Sequence, residues 1–565
     1  MSIQTTAPEP LAPVPFNIPS AFETQLSNGL RVVVFDDPRL PLVSYRLVFY
    51  SGDSHDPAGR TGITSAMAAL MAEGTENYSS KELAEKIERL GASLNVVASD
   101  DFTSISASTL TIYSSEILAL ISEIVFRPTF PENELDLYRR NTIENLKFQR
   151  SQPNFLANEQ TARILYGKHP YAVISPSAGD IERLTREDIV KLHAERIIPN
   201  NAVLIAVGDV DRESLLEEIE GHFGDWERGN IVELDSPEPP ERSARSITIV
   251  DRPGSAQSNI VMANIGVDRG HPDYFPIIVM NQVLGAGASS RVFMNLREEK
   301  GYTYGAYTRF DMKRLSGEFE ATAEVRTAVT GDSIKEFFYE LERIRTESVP
   351  EEELSDAKAY LTGVFPIRAE TQEGLTGLIV GQQLYGLPVD YLQTYRDKVD
   401  AVTIEDVKRV AAEHIHPDRI AIVIVGDAGE VLPQVKEFAE EIEIFDTDGN
   451  PKELSQFETA DLIADVDVTG DWQLSLDFQG QAVPVKLILE KSGDTISGKL
   501  EIMLGDGEVN QVSLNGNKFS AVAVSEIQGQ PMELSINGKV DGDSMSGSIT
   551  VSIIPEPLTF TGSRS

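Results

Sequence analysis

The chain has 565 residues, enough for about three to five domains of ordinary size. Its composition, 41% hydrophobic and 24% charged, is that of a globular protein, and no apolar run reaches the roughly 18 residues of a membrane helix. A formal net charge of −40 argues against nucleic acid, whose phosphates need clustered Lys and Arg, and the lack of cysteine removes disulfides, thiolate metal sites and cysteine nucleophiles.

Residues 1–20 are rich in Pro, Ala and Thr, with neither the basic nor the apolar stretch of a signal peptide, and read as a flexible lead-in. The expected location is therefore cytoplasmic, or periplasmic or secreted if a signal has been removed. Residues 21–230 read as a first α+β domain. Strands are expected at 30–35 and 42–50, helices at 62–72 and 80–90, a hairpin at 94–98 and 103–110, and helices at 114–125 and 132–150. TREDIVKLHAERIIPNNAVLIAVGD, residues 185–209, reads as a helix N-capped by Thr185, a Pro-containing loop and an apolar strand. Residues 231–245 are rich in Pro and charge, as linkers are.

The second α+β domain, 246–440, contains TIEDVKRVAAEHIHPDRIAIVIVGD at 403–427. This aligns without a gap to 185–209 at an offset of 218, with ten identities in twenty-five, so the body is two homologous halves. A further linker is expected at 441–467. From 468 to 565 short alternating segments at 483–489, 495–503, 511–514, 519–524, 532–536 and 545–551 are separated by SGD, GDG, NGN and DGD turns. That is the pattern of an all-β small barrel or sandwich, with Trp472 as a core plug.

The seven histidines are His55, His169, His193, His222, His271, His414 and His416, and none forms H-x-x-E-H or H-x-x-x-H. His414-x-His416 has the spacing of a metal pair on a strand, but its place after a helix and before Pro417 reads as loop. His55, between Asp53 and Asp56 and near Pro57, reads as turn chemistry. There is no G-x-S-x-G elbow. GAGASS, at 285–290, lacks the Lys of a phosphate loop and reads as a close backbone approach or a helix start.

Two segments carry a family resemblance. GITSAMAALMAEGT, residues 62–75, resembles the active-site helix of the pitrilysin/insulinase family of zinc metallopeptidases, the inverzincins, where H-x-x-E-H precedes an apolar turn and Gly-Thr. In that register the two histidines fall on Ser65 and Ala69, and the water-activating glutamate on Ala68. The family's third ligand, a glutamate on a later helix, falls on Asn145, beside Glu144. LGAGASSRVFMNLREEKGYTY, residues 284–304, is similar to the family's G-x-G-x-S-S-R-L-F, L-R-E and G-x-x-Y segment. There the Arg of L-R-E and a Tyr seven residues later reach substrate and the reacting carbonyl; they correspond to Arg297 and Tyr304. Arg offers a fixed fork of donors, and a Tyr hydroxyl can donate to a developing oxyanion.

The resemblance covers residues 20–440. It implies a chain with no catalytic residue and no cofactor of its own. Such a chain would be the non-catalytic, substrate-binding subunit of a heterodimeric zinc metalloendopeptidase. It would supply Arg297 and Tyr304 to the zinc site of an H-x-x-E-H partner for peptide hydrolysis. The alternative is a structural scaffold or peptide-binding subunit with no proteolytic role.

Overall fold

β-Branched and apolar runs form the strands of this protein, and capped amphipathic segments form its helices. The computed structural model describes residues 18–234, 236–458, 467–478, 481–492, 495–502, 505–515, 517–527, 530–551 and 557–565. Most of the expected lead-in, residues 1–17, and residues 459–466 of the second expected linker lie outside the described residues.

The first half contributes β1 (Phe22–Gln25), β2 (Arg31–Asp36), β3 (Leu42–Phe49), β4 (Ser93–Ala98), β5 (Thr103–Leu110) and β6 (Ala202–Gly208). They form a sheet in the order β1-β2-β6-β3-β5-β4, with β2 and β6 parallel and the other pairs antiparallel. The second half supplies β7 (Ser246–Asp251), β8 (Gln257–Ile265), β9 (Thr303–Met312), β10 (Gly317–Arg326), β11 (Ala421–Gly426), β12 (Glu441–Phe445) and β13 (Pro451–Lys452). Their order is β13-β12-β7-β11-β8-β10-β9, which repeats the first sheet strand for strand from β7 to β9. The repeated segments carry matching caps. Thr185 accepts a hydrogen bond from Asp188 N (3.2 Å) and Thr403 accepts one from Asp406 N (3.1 Å), each starting the helix that leads to β6 or β11.

Every residue of β6 and β11 is buried, so both faces of each sheet must be covered. The two halves achieve this by exchanging helices. On one face of the first sheet, Val32, Val34, Tyr45 and Leu47 pack with Met67 and Ile121 of their own half. On the other face, Val33, Phe35, Val203 and Ile205 pack with Phe365, Ile379 and Tyr391 of the second half. In return, Leu156 and Leu165 of the Pro153–Tyr166 helix pack against Val250, Val261 and Val423 of the second sheet.

The segment 441–467, expected as linker, instead opens with structure. β12 pairs in parallel with β7, because its E-I-E-I-F alternation places Ile444 in the core. The chain forms two compact units, one up to Lys452 and one from Glu453.

The second unit is a closed antiparallel barrel, which decides between the two β architectures the turns allowed. Its strands are β14 (Gly470–Phe478), β15 (Gln481–Ser492), β16 (Thr495–Ile502), β17 (Gly505–Asn515), β18 (Lys518–Ile527), β19 (Gln530–Asp541), β20 (Ser544–Val551) and β21 (Leu558–Arg564). Sequence neighbours pair throughout, and β14 closes the ring on β21. Trp472 is fully buried; its indole N–H donates to Val468 O (2.9 Å), and the Arg564 guanidinium lies 4.7 Å from its ring centroid.

Candidate functional site

The helix Ile63–Met71 starts at Gly62, whose φ of +84° lies in the left-handed region that glycine tolerates. Gly62 has no side chain to cap the helix, and Asp56 takes that place. Its carboxylate accepts from Gly62 N (2.6 Å), Thr64 N (3.1 Å) and Thr64 Oγ1 (2.5 Å). One turn on, Ser65 Oγ donates to both Asp53 oxygens, at 2.7 and 2.9 Å. Ala68 is buried and Ala69 is exposed.

These groups border a cavity of about 520 Å³ lined in part by Asp53, His55, Asp56, Ser65, Asp100 and Arg196. Burial pushes the Asp56 carboxyl up to about 7, outweighing its three donors, and burial also raises Asp53. His55 closes a short 3₁₀ turn and accepts from Gly52 N with Nδ1 at 3.4 Å, which bears out turn chemistry for it. Burial, with Arg196 nearby, holds His55 down at about 4.

The positions that carry zinc in the pitrilysin/insulinase pattern do not fit the metal here. The helix presents a hydroxyl already committed to Asp53, and two methyl groups. On the Glu132–Arg150 helix Asn145 is exposed, and exposed Glu144 pairs with Lys147 at 2.7 Å. Zinc needs several N, S or O⁻ ligands plus an open position, and catalysis needs a base for the bound water.

The other segment lies in the second half. A Cβ on Gly285 would fall 2.2 Å from Thr308 Oγ1 and 2.4 Å from Thr308 N, so only glycine lets β9 approach this closely. After Ser290 the chain forms one short helical stretch, Arg291–Phe293, then a π-helix, Met294–Glu299. Arg291 is buried and pairs with Glu353 at 2.8 Å, anchoring the stretch. Arg297 sits in the π-helix, a wide turn common at functional sites. Its side chain is half-exposed, 4.9 Å from the Phe293 ring and 3.6 Å from Glu298. Tyr304 lies on β9, an edge strand, and is 90% exposed; its hydroxyl makes no hydrogen bond among the described residues. A core tyrosine is therefore ruled out at this position. Neither Arg297 nor Tyr304 lines the cavity at Ser65.

His414 is the last residue of its helix, and its partner is Asp273, with Nε2 3.0 Å from Oδ2. His416 lies beyond the helix and its backbone N–H donates to Asn264 (3.0 Å), so the two do not form a metal pair on a strand. His271 joins His414 and Asp273, with one ligand atom of each within 4.8 Å of the others. No sequence spacing signals this group, because Asp273 and His414 stand 141 positions apart.

Two family models match the chain: "Insulinase (Peptidase family M16)" at residues 31–174 and "Peptidase M16 inactive domain" at residues 183–361. The chain is 23% identical over 417 residues to the "Uncharacterized zinc protease YmxG" of Bacillus subtilis, covering 72% of this chain and 98% of that protein. It is 22% identical over 419 residues to the "Non-peptidase homolog YmxG" of Helicobacter pylori, covering 72% and 95%. Among solved structures, a peptidase M16 inactive domain from Pseudomonas fluorescens aligns with a TM-score of 0.68 and 26% identity, over 72% of this chain and 97% of that one. A protease from Helicobacter pylori aligns with a TM-score of 0.67 and 21% identity, over 72% and 99%, a likeness of fold. The two family models together span more than half of the chain, and the fold is duplicated as the internal repeat implied. The chain belongs to the insulinase family, peptidase family M16, as a homologue without the H-x-x-E-H motif.

Proposed function

We propose that this chain is the non-catalytic, substrate-binding subunit of a heterodimeric zinc metalloendopeptidase. Its partner carries H-x-x-E-H and the zinc, and this chain supplies Arg297 and Tyr304 to that site. The observation that carries the reading is Tyr304, an aromatic side chain 90% exposed on an edge strand with its hydroxyl unpartnered among the described residues. Such a group is presented outward, and Arg297 on the adjoining π-helix is half-exposed beside it in sequence.

The chemistry follows from the two side chains. The Arg297 fork donates to a peptide carbonyl or carboxylate, and the Tyr304 hydroxyl donates to the oxyanion as it forms. An extended peptide is held by strand addition at a sheet edge, through main-chain hydrogen bonds that tolerate many sequences.

The test compares peptide cleavage by this chain alone, by an H-x-x-E-H subunit recovered with it, and by the mixture. The mixture is expected to exceed either component, and the chain alone to be inactive. Tyr304→Phe should slow the mixture by about 10²-fold, the scale of losing one oxyanion donor, and Arg297→Ala should weaken substrate binding, both with the melting temperature unchanged. Equal rates for the partner alone and the mixture would refute the assignment.

A further inference from the structure

The cluster His271, Asp273 and His414 lies outside the degenerate helix and outside the Arg297–Tyr304 segment. Three features of chain architecture bring it together. His271 and Asp273 flank Pro272, whose ring fixes φ. Asp273 is the N-cap of the helix Tyr274–Leu284. His414 ends the helix Ile404–His414, which packs against that helix. His414 and Asp273 therefore stand at the ends of two packed helices, and His271 lies in the turn that leads into one of them.

We propose that His271, Asp273 and His414 form a binding site for a single divalent transition-metal ion of the zinc class. Asp273 Oδ2 lies 3.0 Å from His414 Nε2 and 4.0 Å from His271 Nδ1. Ligand atoms on a tetrahedral ion with bonds of about 2.0–2.1 Å sit roughly 3.3 Å apart, so sub-ångström shifts bring these two separations to bonding geometry. The imidazole planes are nearly perpendicular, at 85°, with ring centroids 5.4 Å apart. Two imidazoles and a carboxylate suit zinc, nickel or copper rather than calcium or magnesium.

Arg409 donates to Asp273 Oδ1 at 2.7 Å and to Oδ2 at 3.1 Å, so a metal ion would share this carboxylate with a guanidinium. The Arg409 charge is itself offset by Glu413 at 2.8 Å and Asp406 at 3.8 Å. One-third of the His271 side chain is exposed, leaving an open position for water. His271 also lines a cavity of about 530 Å³ shared with Asp268, Glu238, Glu241, Arg242 and Arg419, which gives a small ion a path to the ring. His271 Nδ1 now accepts from Asp273 N at 3.2 Å, and metal binding would trade that bond for a coordinate one. The ion would join the start of one helix to the end of the other and so stabilise the second half.

The experiment is zinc titration by calorimetry of the full, tag-free chain, with thermal melts, for the wild type and the single variants His271→Ala, His414→Ala and Arg409→Gln. Expected are one zinc per chain, a zinc-dependent rise in melting temperature, and binding weakened by about tenfold or more in each histidine variant. Arg409→Gln removes a like charge from beside the ion and should tighten binding, although an ion-pair cluster alone would only lose stability from it. His271 is partly exposed, so His271→Ala retains the fold, and its metal-free melt checks this. The proposal is overturned if the wild type takes up no zinc, or if its affinity is unchanged in both histidine variants.

Discussion

Asp56 caps the helix that bears zinc ligands in active relatives of this type, and it does so at an electrostatic cost. Its ordinary pKa is 3.8, and burial lifts it to about 7 in the fold. Between those values the unfolded chain has released the proton and the fold retains it. Stability attributable to Asp56 therefore falls as pH rises from about 4 to about 7, and levels off above that. Asp56→Asn removes this exchange. Unfolding free energies from urea titrations across that window should fall less steeply in the variant, the two curves diverging by about a few kcal/mol at most over the window, on the order set by pKa linkage. Parallel curves would show that Asp56 does not titrate there. At this scale the sequence was informative where chemistry is local. Ser65, Ala68 and Ala69 are adjacent on one helix, and the missing ligands can be read from the motif. Asp53 and Asp56 were read only as turn residues, because their hydrogen bonds to Ser65, Gly62 and Thr64 depend on how the 3₁₀ turn folds back on the helix.

Besides the exchanged helices, two turns join the halves of the first unit. The Asp100–Asp101 turn between β4 and β5 meets residues 313–315 between β9 and β10. Lys313 pairs with Asp100 at 2.7 Å, and Arg314 N donates to Asp101 at 3.2 Å. Tyr171 joins both sides, donating to Asp101 Oδ1 (2.6 Å) and accepting from Leu315 N (3.2 Å). Tyr171→Phe leaves a buried carboxylate oxygen and a backbone N–H without that partner, and should cost about 1–3 kcal/mol in urea unfolding. A loss below about 0.5 kcal/mol would mean that other contacts carry this junction. The elements themselves were legible from sequence. The 132–150 helix, the 94–110 hairpin and the Thr185 and Thr403 caps follow from periodicity and local hydrogen bonding. The exchange of helices between halves was not, since an apolar helix face does not say which sheet it covers. β12 was read as linker for a related reason: five alternating residues next to charge resemble a tether until β7 is there to pair with. The closure of β14 on β21 was not legible, because it pairs the two ends of the domain and no short-range turn announces it.

At the scale of the whole molecule, each unit has its own core. The barrel core contains Trp472, Leu487, Leu500 and Ile536, and the body cores contain none of these. Scanning calorimetry should therefore resolve two transitions. Trp472→Ala should lower one of them, by about 3–5 kcal/mol of unfolding free energy, and leave the other in place. A single transition that moves as a whole would contradict independent cores. The barrel also differs from the body in having no open strand. The body sheets end in β1 and β13, which are short, and in β4 and β9, which have six and ten residues. A free strand of that length is a template on which a second copy can pair. Two copies that approach each carry a formal charge of −40, so they repel before their strands meet. Salt shortens the reach of that repulsion from about 10 Å at 0.1 M to about 3 Å at 1 M. The protein's colloidal stability is thus greatest in dilute buffer, and concentrated salt is the condition that brings copies together.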